Sequence, residues 1–129
     1  ERLSDAVKTR LTVENDDKKS LYSTKELYEE VYQKIGTPIV FDYHHHKFCD
    51  GDLREQDALA LALSTWGQTK PVVHYSQSRC EEHNDNKIRE NAHSDSYWTP
   101  FNPHGFIFDC MLEAKHKEQA LFKMRQLLT

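Results

Sequence analysis

Four short runs along the chain have the hydrophobic pattern of β-strands. Residues 10–14 alternate apolar and polar side chains, which is the period of two that a strand requires. Residues 39–42 begin as a short apolar run that is typical of a buried strand. The runs at residues 72–75 and 106–113 have a similar character. We therefore predict four strands at these positions.

The segments between these runs have the spacing of helices. One helix is expected to begin at a capping box formed by Ser23 and Glu26 and to end at Gly36, because glycine tolerates the left-handed conformation at a helix end. A second capping box, at Asp52 and Glu55, is expected to begin the next helix. The apolar positions at helical spacing are Leu3 and Val7 in residues 1–8, Leu27, Val31 and Ile35 in the first capped helix, Leu59, Leu63 and Trp66 in the second, and Leu121, Met124 and Leu128, expected to face inward, in residues 117–128.

The alternation of strands and helices predicts parallel βαβ units and an α/β fold. Four strands make either a small open sheet or half of a (β/α)₈ barrel. A whole barrel usually needs about 250 residues, whereas this chain has 129. The polar segment 77–105 lacks clear periodicity and is too long for a plain connection, so we predict a functional loop with some irregular helix.

Composition narrows the classes of partner and compartment. The chain carries 21 Asp and Glu against 17 Lys and Arg, so it lacks the global basic signature of a nucleic-acid binder. Its eight histidines indicate metal chemistry or pH sensitivity. Three cysteines without a close pair favour a reducing intracellular compartment, cytoplasm or nucleus, over a disulfide scaffold. No stretch approaches the ~18 apolar residues of a membrane span, so no membrane partner is expected.

Every predicted strand ends in a side chain of a type that can bind a metal ion. The donors are Glu14 in the first strand, Asp42 followed by His44, His45 and His46 in the second, His74 in the third, Glu113 in the fourth, and His93 with Asp95 in the long loop. Because ligands of parallel α/β sheets bind at the carboxyl ends of the strands, we expect these groups to converge. Mixed imidazole and carboxylate ligation suits Mn²⁺, Zn²⁺ or Fe²⁺. Pairs of such cations are a usual arrangement for hydrolysing phosphate esters.

Each donor also has a structural interpretation. Glu14 could be a surface carboxylate, and Asp42 could cap the turn that follows it. His74 could be a hydrogen-bonded core histidine, and Glu113 could begin the last helix, where a carboxylate complements the helix dipole. Together these interpretations require a donor at the end of every strand by accident. We therefore favour a metal site.

Five segments carry a more specific pattern. They are Leu-Thr-Val-Glu14-Asn-Asp, Pro-Ile-Val-Phe-Asp42-Tyr-His-His45-His, Pro-Val-Val-His74-Tyr-Ser, Ala-His93-Ser-Asp95 and Met-Leu-Glu113-Ala-Lys115. In this order, over most of residues 10–117, they resemble the second half of the UV damage endonuclease family. Members of that family are TIM barrels related to endonuclease IV, and they cut the DNA backbone on the 5′ side of ultraviolet photoproducts. The resemblance implies that residues 1–129 are one C-terminal half of such a (β/α)₈ barrel, covering about its last four β/α units.

The resemblance also implies roles for individual residues. The metal ligands would be Glu14, Asp42, His45, His74, His93 and Glu113, with Glu14, Asp42, His74 and Glu113 as the catalytic group. The family pattern, and not spacing, selects His45. His44 and His46 would then support the ligands or face a phosphate. The cofactor would be a cluster of divalent ions, expected to be Mn²⁺ with Zn²⁺ or Mg²⁺ as alternatives, and the partner would be damaged double-stranded DNA.

Two departures from the family pattern matter. Members commonly carry a lysine two residues before the histidine of the third strand, and this chain has Val72 there. If that lysine tunes the metals in relatives, this protein does so differently or is slower. The first half of the barrel is absent, and the open sheet edge should need that N-terminal half, or a second copy, to cover it. The first residue, a glutamate, also agrees with a piece of a longer protein.

The leading hypothesis is a metal-dependent DNA repair endonuclease, in which water attacks the phosphorus and the cations stabilise charge on the phosphate. Recognition would depend on distortion of the duplex more than on sequence. Arg79, Lys87 and Arg89 of the long loop are candidate phosphate contacts. Two alternatives stay open: a sugar isomerase or epimerase of the related metal-dependent barrels, and a catalytically silent metal-binding fragment.

Overall fold

A parallel sheet of four strands forms the centre of the molecule. The computed structural model describes residues 2–129, so that Glu1, part of the predicted first helical segment, lies outside the described residues. The strands are β1 (Val13–Glu14), β2 (Ile39–Asp42), β3 (Val72–Tyr75) and β4 (Asp109–Leu112). Their order in the sheet is β1-β2-β3-β4, and each neighbouring pair is parallel. Spatial order follows chain order, as successive βαβ units require.

Helical segments occupy the connections. They are α1 (Asp5–Lys8), α2 (Thr24–Leu27), α3 (Gln33–Ile35), α4 (Tyr43–His46), α5 (Glu55–Leu63), α6 (Arg79–His83) and α7 (Lys117–Leu127). A π-helical turn (Tyr28–Tyr32) joins α2 to α3, and a 3₁₀ turn (Ser64–Trp66) extends α5. Over residues 2–129, no helix is both long and apolar enough to cross a membrane. The predicted alternation is confirmed, and α6 is the irregular helix expected in the long loop.

The two predicted capping boxes have different outcomes. At the start of α2, Ser23 Oγ accepts the N–H of Glu26, and the Glu26 carboxylate accepts the N–H of Ser23, which confirms the first box. The second prediction is wrong, because α5 begins after Arg54 without a side-chain cap. Asp52 lies in a left-handed turn with a φ of 61°, where its N–H donates to Asp50 Oδ1 at 3.0 Å. This local turn replaces the predicted cap.

The first and last strands are shorter than the sequence predicts. β1 has two residues because the N–H groups of Arg10 and Leu11 are bonded to the carbonyl of Val7, at the end of α1. β4 begins three residues late because Phe106 donates its N–H to Pro103 in a turn. In both cases, residues that were expected to extend the strand are instead hydrogen-bonded within a local turn.

The side chains of the strands alternate between the two faces of the sheet. The residues buried against the helices are Ile39, Phe41, Val73 and Tyr75. The strand register places Glu14, Val40, Asp42 and His74 on the opposite face. The apolar core therefore holds one face of the sheet, and polar groups gather on the other at the ends of the strands.

Two predicted helix faces need correction. In the last helix, Leu121 and Leu128 are exposed, whereas Met124 is buried together with Ala120. The pair at i and i+4 faces the sheet, and Leu121 lies about 100° around the helix from Ala120. Ile35 is 71% exposed, because the π-helical turn before it adds a residue to one turn and rotates the following positions out of the apolar stripe.

Candidate metal centre

The carboxyl ends of the strands bring the predicted donors together. Glu14 ends β1, His74 pairs in register with Asp42 of β2, and Glu113 follows β4. The Nδ1 atom of His74 lies 3.2 Å from Oε1 of Glu14 and 3.5 Å from Oε1 of Glu113. One imidazole therefore links carboxylates from the two outer strands of the sheet.

The two oxygens of Asp42 have different surroundings. Oδ1 accepts the N–H groups of His44 and His45, each at 2.8 Å, at the start of α4. This bond pair is the turn cap of the structural interpretation. Oδ2 is buried and has no hydrogen-bond partner within residues 2–129. The cap thus fixes the side chain and leaves one oxygen available to a ligand.

Of the three successive histidines, His45 is the one that joins the carboxylates. Its Nδ1 atom lies 3.5 Å from Oε1 of Glu14 and 2.8 Å from the carbonyl oxygen of Asn15. Its Nε2 atom lies 3.8 Å from the buried oxygen of Asp42. Successive residues of a helical turn point about 100° apart, so the neighbours of His45 point elsewhere.

His93 reaches the cluster from the long loop. An antiparallel bridge between Ser78 and His93 holds this part of the loop. The Nδ1 atom of His93 lies 3.5 Å from Oε2 of Glu113. Glu113 thus faces His74 through one oxygen and His93 through the other. The structure therefore places all six predicted ligands in one connected group, which we call the strand-end cluster.

The strand-end cluster contains two overlapping sets of donors. Glu14, Asp42 and His45 form one set, and Asp42, His74 and Glu113 form the other. Within each set, one donor atom per residue lies within 4.8 Å of the others. A buried carboxylate shared by two donor sets is an arrangement that can bridge two cations.

Asn15 is a residue of the site that the sequence reasoning missed. It is 1% exposed, and its side chain bonds the backbone of Asp42 twice. Its Nδ2 donates to the Asp42 carbonyl at 3.0 Å, and its Oδ1 accepts the Asp42 N–H at 2.8 Å. These bonds hold the end of β2 beside the end of β1. The signal that could have indicated it is an amide side chain directly after the strand-end Glu14.

Burial and neighbouring charges set the protonation of the cluster. Burial raises the pKa of Asp42 to about 6, although the backbone hydrogen bond from His45 opposes the change. The hydrogen bond to Glu14 raises the pKa of His74. Burial alone would raise the pKa of Glu14, but the hydrogen bond and charge of His74 outweigh it and lower that pKa. The lowered pKa of Glu14 and the raised pKa of His74 both result from the attraction between a carboxylate and a positive charge beside it.

Asp95 belongs to a second group, which we call the loop cluster: Glu82, His83 and Asp95. Oδ2 of Asp95 lies 2.7 Å from Nε2 of His83, and Oδ1 lies 3.6 Å from Nε of Arg79. Glu82 accepts the N–H groups of Asp95 and Ser96 at 2.7 and 2.9 Å. Distance alone would allow a metal here too. Arg79, a predicted phosphate contact, instead lies beside a carboxylate of the loop.

Together, the fold and the site define part of a (β/α)₈ barrel with a candidate metal centre at the carboxyl ends of its strands. The sequence profile of the UV-endonuclease UvdE family matches residues 1–129, and the chain belongs to that family. It is 38% identical over 132 residues to the UV-damage endonuclease of Schizosaccharomyces pombe. It is 36% identical over 135 residues to a UV DNA damage endonuclease of Bacillus cereus.

These similarities extend over nearly all of this chain but only a part of each relative. The two alignments cover 96% and 95% of this chain, against 21% and 39% of the relatives. The crystal structure of SacUVDE matches with a TM-score of 0.78 and 27% identity, over 98% of this chain and 42% of that one. The chain thus spans less than half the length of these relatives. The family and the barrel fold are confirmed, and the ligand set and the metal stay predictions.

Proposed function

We propose that this chain is part of an endonuclease that repairs DNA damaged by ultraviolet light. Membership of the UvdE family and the names of the relatives support an enzyme of this kind. Dependence on a divalent metal and cleavage on the 5′ side of the photoproduct are the finer parts of the proposal. The observation that carries the metal dependence is Asp42, which belongs to both donor sets and has a buried Oδ2 atom with no hydrogen-bond partner in residues 2–129.

The strand-end cluster has donors that suit a divalent cation. Imidazole and carboxylate groups are ligands of Mn²⁺ and Zn²⁺, and carboxylates also bind Mg²⁺. Glu14, Asp42 and His45 would hold one cation, and Asp42, His74 and Glu113 would hold another. When bound, such cations supply Lewis acidity, which neutralises charge on a phosphate and makes water more acidic. We propose Mn²⁺ as the resident ion.

The protein's own contribution is to fix the donors before the substrate arrives. The first N–H groups of α4 orient Asp42, and Asn15 holds the backbone at the same residue. Glu113 lies against two imidazoles from different parts of the chain. Because these contacts exist in the folded protein, little reorganisation is needed when a phosphodiester enters.

A groove beside the cluster is the proposed path of the DNA backbone. It has a volume of about 890 Å³, and its lining includes His93 and Glu113 of the cluster together with the cations Arg89, Lys115 and Lys117. Lysine and arginine contacts to phosphates supply most of the affinity of proteins for DNA and fix its position. The lining also includes Glu118, so three cations face two carboxylates, Glu113 and Glu118. A groove with this excess of positive charge that reaches the ligands suits a strand whose scissile phosphate lies at the cluster.

The two edge strands of the sheet, β1 and β4, indicate that this chain needs a partner. Among residues 2–129, no strand lies beyond β1 or β4, and the relatives are more than twice as long as the matched segment. We propose that the remaining, N-terminal half of the barrel covers these edges, with self-association as the alternative. Location in a reducing intracellular compartment stays a prediction.

A nicking assay tests the proposed function. The longest natural form of the chain is incubated with supercoiled plasmid, irradiated or not, with Mn²⁺ or with EDTA. We expect nicking only of irradiated plasmid and only with metal, and mapping of the ends tests the 5′ position. Metal binding without nicking would favour the catalytically silent alternative, and turnover of a sugar would favour the isomerase. The names of the relatives support neither alternative.

A further inference from the structure

His44 is a buried histidine beside the strand-end cluster that the proposed chemistry does not use. Its side chain is 0% exposed, and its backbone N–H is bonded to Asp42. Neither ring nitrogen has a hydrogen-bond partner within residues 2–129. A fully buried ring cannot touch a phosphate in the groove, so any contribution of His44 to the site must pass through its neighbours.

The ring of His44 contacts two other rings. Its centroid is 5.9 Å from that of His93, at an interplanar angle of 76°. It is also 5.2 Å from the centroid of Phe48, at an interplanar angle of 87°. Both contacts are edge-to-face, which is an arrangement that aromatic pairs prefer. Because Phe48 supports the ring of His44, His44 can in turn support the ring of His93.

Among the six predicted ligands, His93 is the one that comes from the long loop. The other five lie at the strand ends or in the turn of α4. The His93 ring lies 3.5 Å from Glu113 and also touches His44. Neighbours that orient a metal-binding imidazole are needed for full metal affinity, and a ligand on a loop depends on them more than one on a strand.

We propose that His44 is a positioning residue, whose ring packs against His93 and holds the His93 imidazole toward Glu113. The functional consequence rests on the proposed metal centre, whereas the positioning itself does not. The backbone of Asn91 also lies beside the His44 ring, but the contact with His93 is edge-to-face packing of two rings, so this contact acts through the shape of the ring. A phenylalanine should therefore replace His44, and an alanine should not.

His46 provides a matched control, because its ring lies beside Phe41 and the backbone of Leu53, outside the strand-end cluster, and not in the supporting position expected from the sequence. It lies in the same turn, is 5% exposed, and packs against Phe41 in the core with a centroid distance of 5.4 Å. His46→Ala removes the same number of atoms as His44→Ala from an equally buried place. A general loss of stability should therefore affect both variants, and a loss of positioning should affect only His44→Ala.

The first arm of the test uses the metal-free protein in its longest natural form. With labelled histidine, NMR should show through-space contact between the ring protons of His44 and His93. We expect the His93 ring resonances to shift in His44→Ala and to stay near their wild-type positions in His44→Phe and His46→Ala. Absence of the ring contact, or an equal shift in both alanine variants, would overturn the proposal.

The second arm measures Mn²⁺ affinity by electron paramagnetic resonance. We expect His44→Ala to weaken binding about 10-fold, at the low end of the range for residues that orient a metal-binding histidine, His44→Phe to restore most of it, and His46→Ala to leave it unchanged. In a His93→Ala background, His44→Ala should have no further effect, because the two residues act as a unit. Equal losses in the two backgrounds would contradict the proposal. If the wild type binds no divalent cation, the proposed metal centre fails, and the metal-free resonances still decide the role of His44.

Discussion

The strand-end cluster and the loop cluster are built from the same residue types, carboxylates and histidines, but their polar atoms are engaged differently. In the loop cluster, both oxygens of Glu82 accept backbone N–H groups, and His83 lies 2.7 Å from Asp95 and 3.4 Å from Glu82. In the strand-end cluster, the imidazole–carboxylate distances run from 3.2 to 3.8 Å. Asp42 there keeps a buried oxygen with no hydrogen-bond partner in residues 2–129.

The difference shows that donor types alone do not identify a metal site. A network whose atoms are already bonded stabilises the fold, and a cation would have to break those bonds. In a cluster whose donors lie slightly apart, the donor atoms can still bind a cation. A buried polar atom without a hydrogen bond requires an explanation, and a bound cation would supply one. Changes in the strand-end cluster should therefore appear in metal binding and nicking, and changes in the loop cluster in stability.

The largest effect is expected for Glu113→Gln. The amide keeps the shape but removes a charge that faces both His74 and His93. We expect nicking of irradiated plasmid to fall more than about 100-fold, with weaker Mn²⁺ binding and an unchanged fold by circular dichroism. Wild-type nicking by this variant would refute the assignment of Glu113.

Glu82→Gln is the matched change in the loop cluster. The N–H groups of Asp95 and Ser96 bond to different oxygens of Glu82. The amide replaces one of these oxygens by a donor, so the free energy of unfolding should fall by about 1–3 kcal/mol. Nicking should fall far less than in Glu113→Gln. Equal losses of nicking in the two variants would remove the distinction between the clusters.

Asp42→Asn tests the oxygen that has no partner. The asparagine Oδ1 can still accept the N–H groups of His44 and His45, so the turn cap is preserved. At a concentration one hundred times Kd, Mn²⁺ should stabilise the wild type by about 2.7 kcal/mol, and the variant should lose most of this gain. Denaturant unfolding with Mn²⁺ or with EDTA measures the stabilisation by the metal in the wild type and in the variant. An undiminished gain in the variant would show that Asp42 is not a ligand.

Removing cations from the groove should have a smaller effect, on the affinity for DNA. The double variant of Lys115→Gln and Lys117→Gln removes two cations from its lining, and Lys123→Gln with Arg125→Gln removes two exposed cations outside that lining. If both groove lysines contact phosphates, the slope of log Kd against log salt should decrease by about 1.8, while the control keeps the wild-type slope. Fluorescence anisotropy with a damaged duplex and no metal measures this separately from nicking. Equal slopes in the two variants would exclude the groove as the DNA path.

Much of the strand-end cluster could be predicted from the sequence, because the carboxyl ends of parallel strands meet whatever the details of the connections. Glu14, His74 and Glu113 needed only correct strand assignments. The distinction among His44, His45 and His46 could not be predicted from spacing, since it depends on how the turn after Asp42 rotates. The role of Asn15 was also hidden, because its bonds to Asp42 depend on the register of β1 and β2.

The helices show the same limit on a smaller scale. The apolar stripe of Leu27, Val31 and Ile35 fails at its third residue, because the π-helical turn changes the phase before Ile35. Nothing in the composition of that turn indicates the insertion. The helical period of apolar residues can therefore be predicted from the sequence, whereas an interruption of that period by an inserted residue cannot.

The smallest predicted effect concerns the two capping boxes, which have the same spacing in the sequence. Ser23→Ala should lower the free energy of unfolding by about 1 kcal/mol, since Ser23 Oγ caps α2. Asp52→Gly should change it by less than about 0.5 kcal/mol, because Asp52 caps no helix and its φ of 61° suits glycine. Urea unfolding of both variants under the same conditions makes the comparison. A loss in Asp52→Gly as large as that in Ser23→Ala would restore the cap at Asp52, and with it the start of α5 that the sequence pattern indicates.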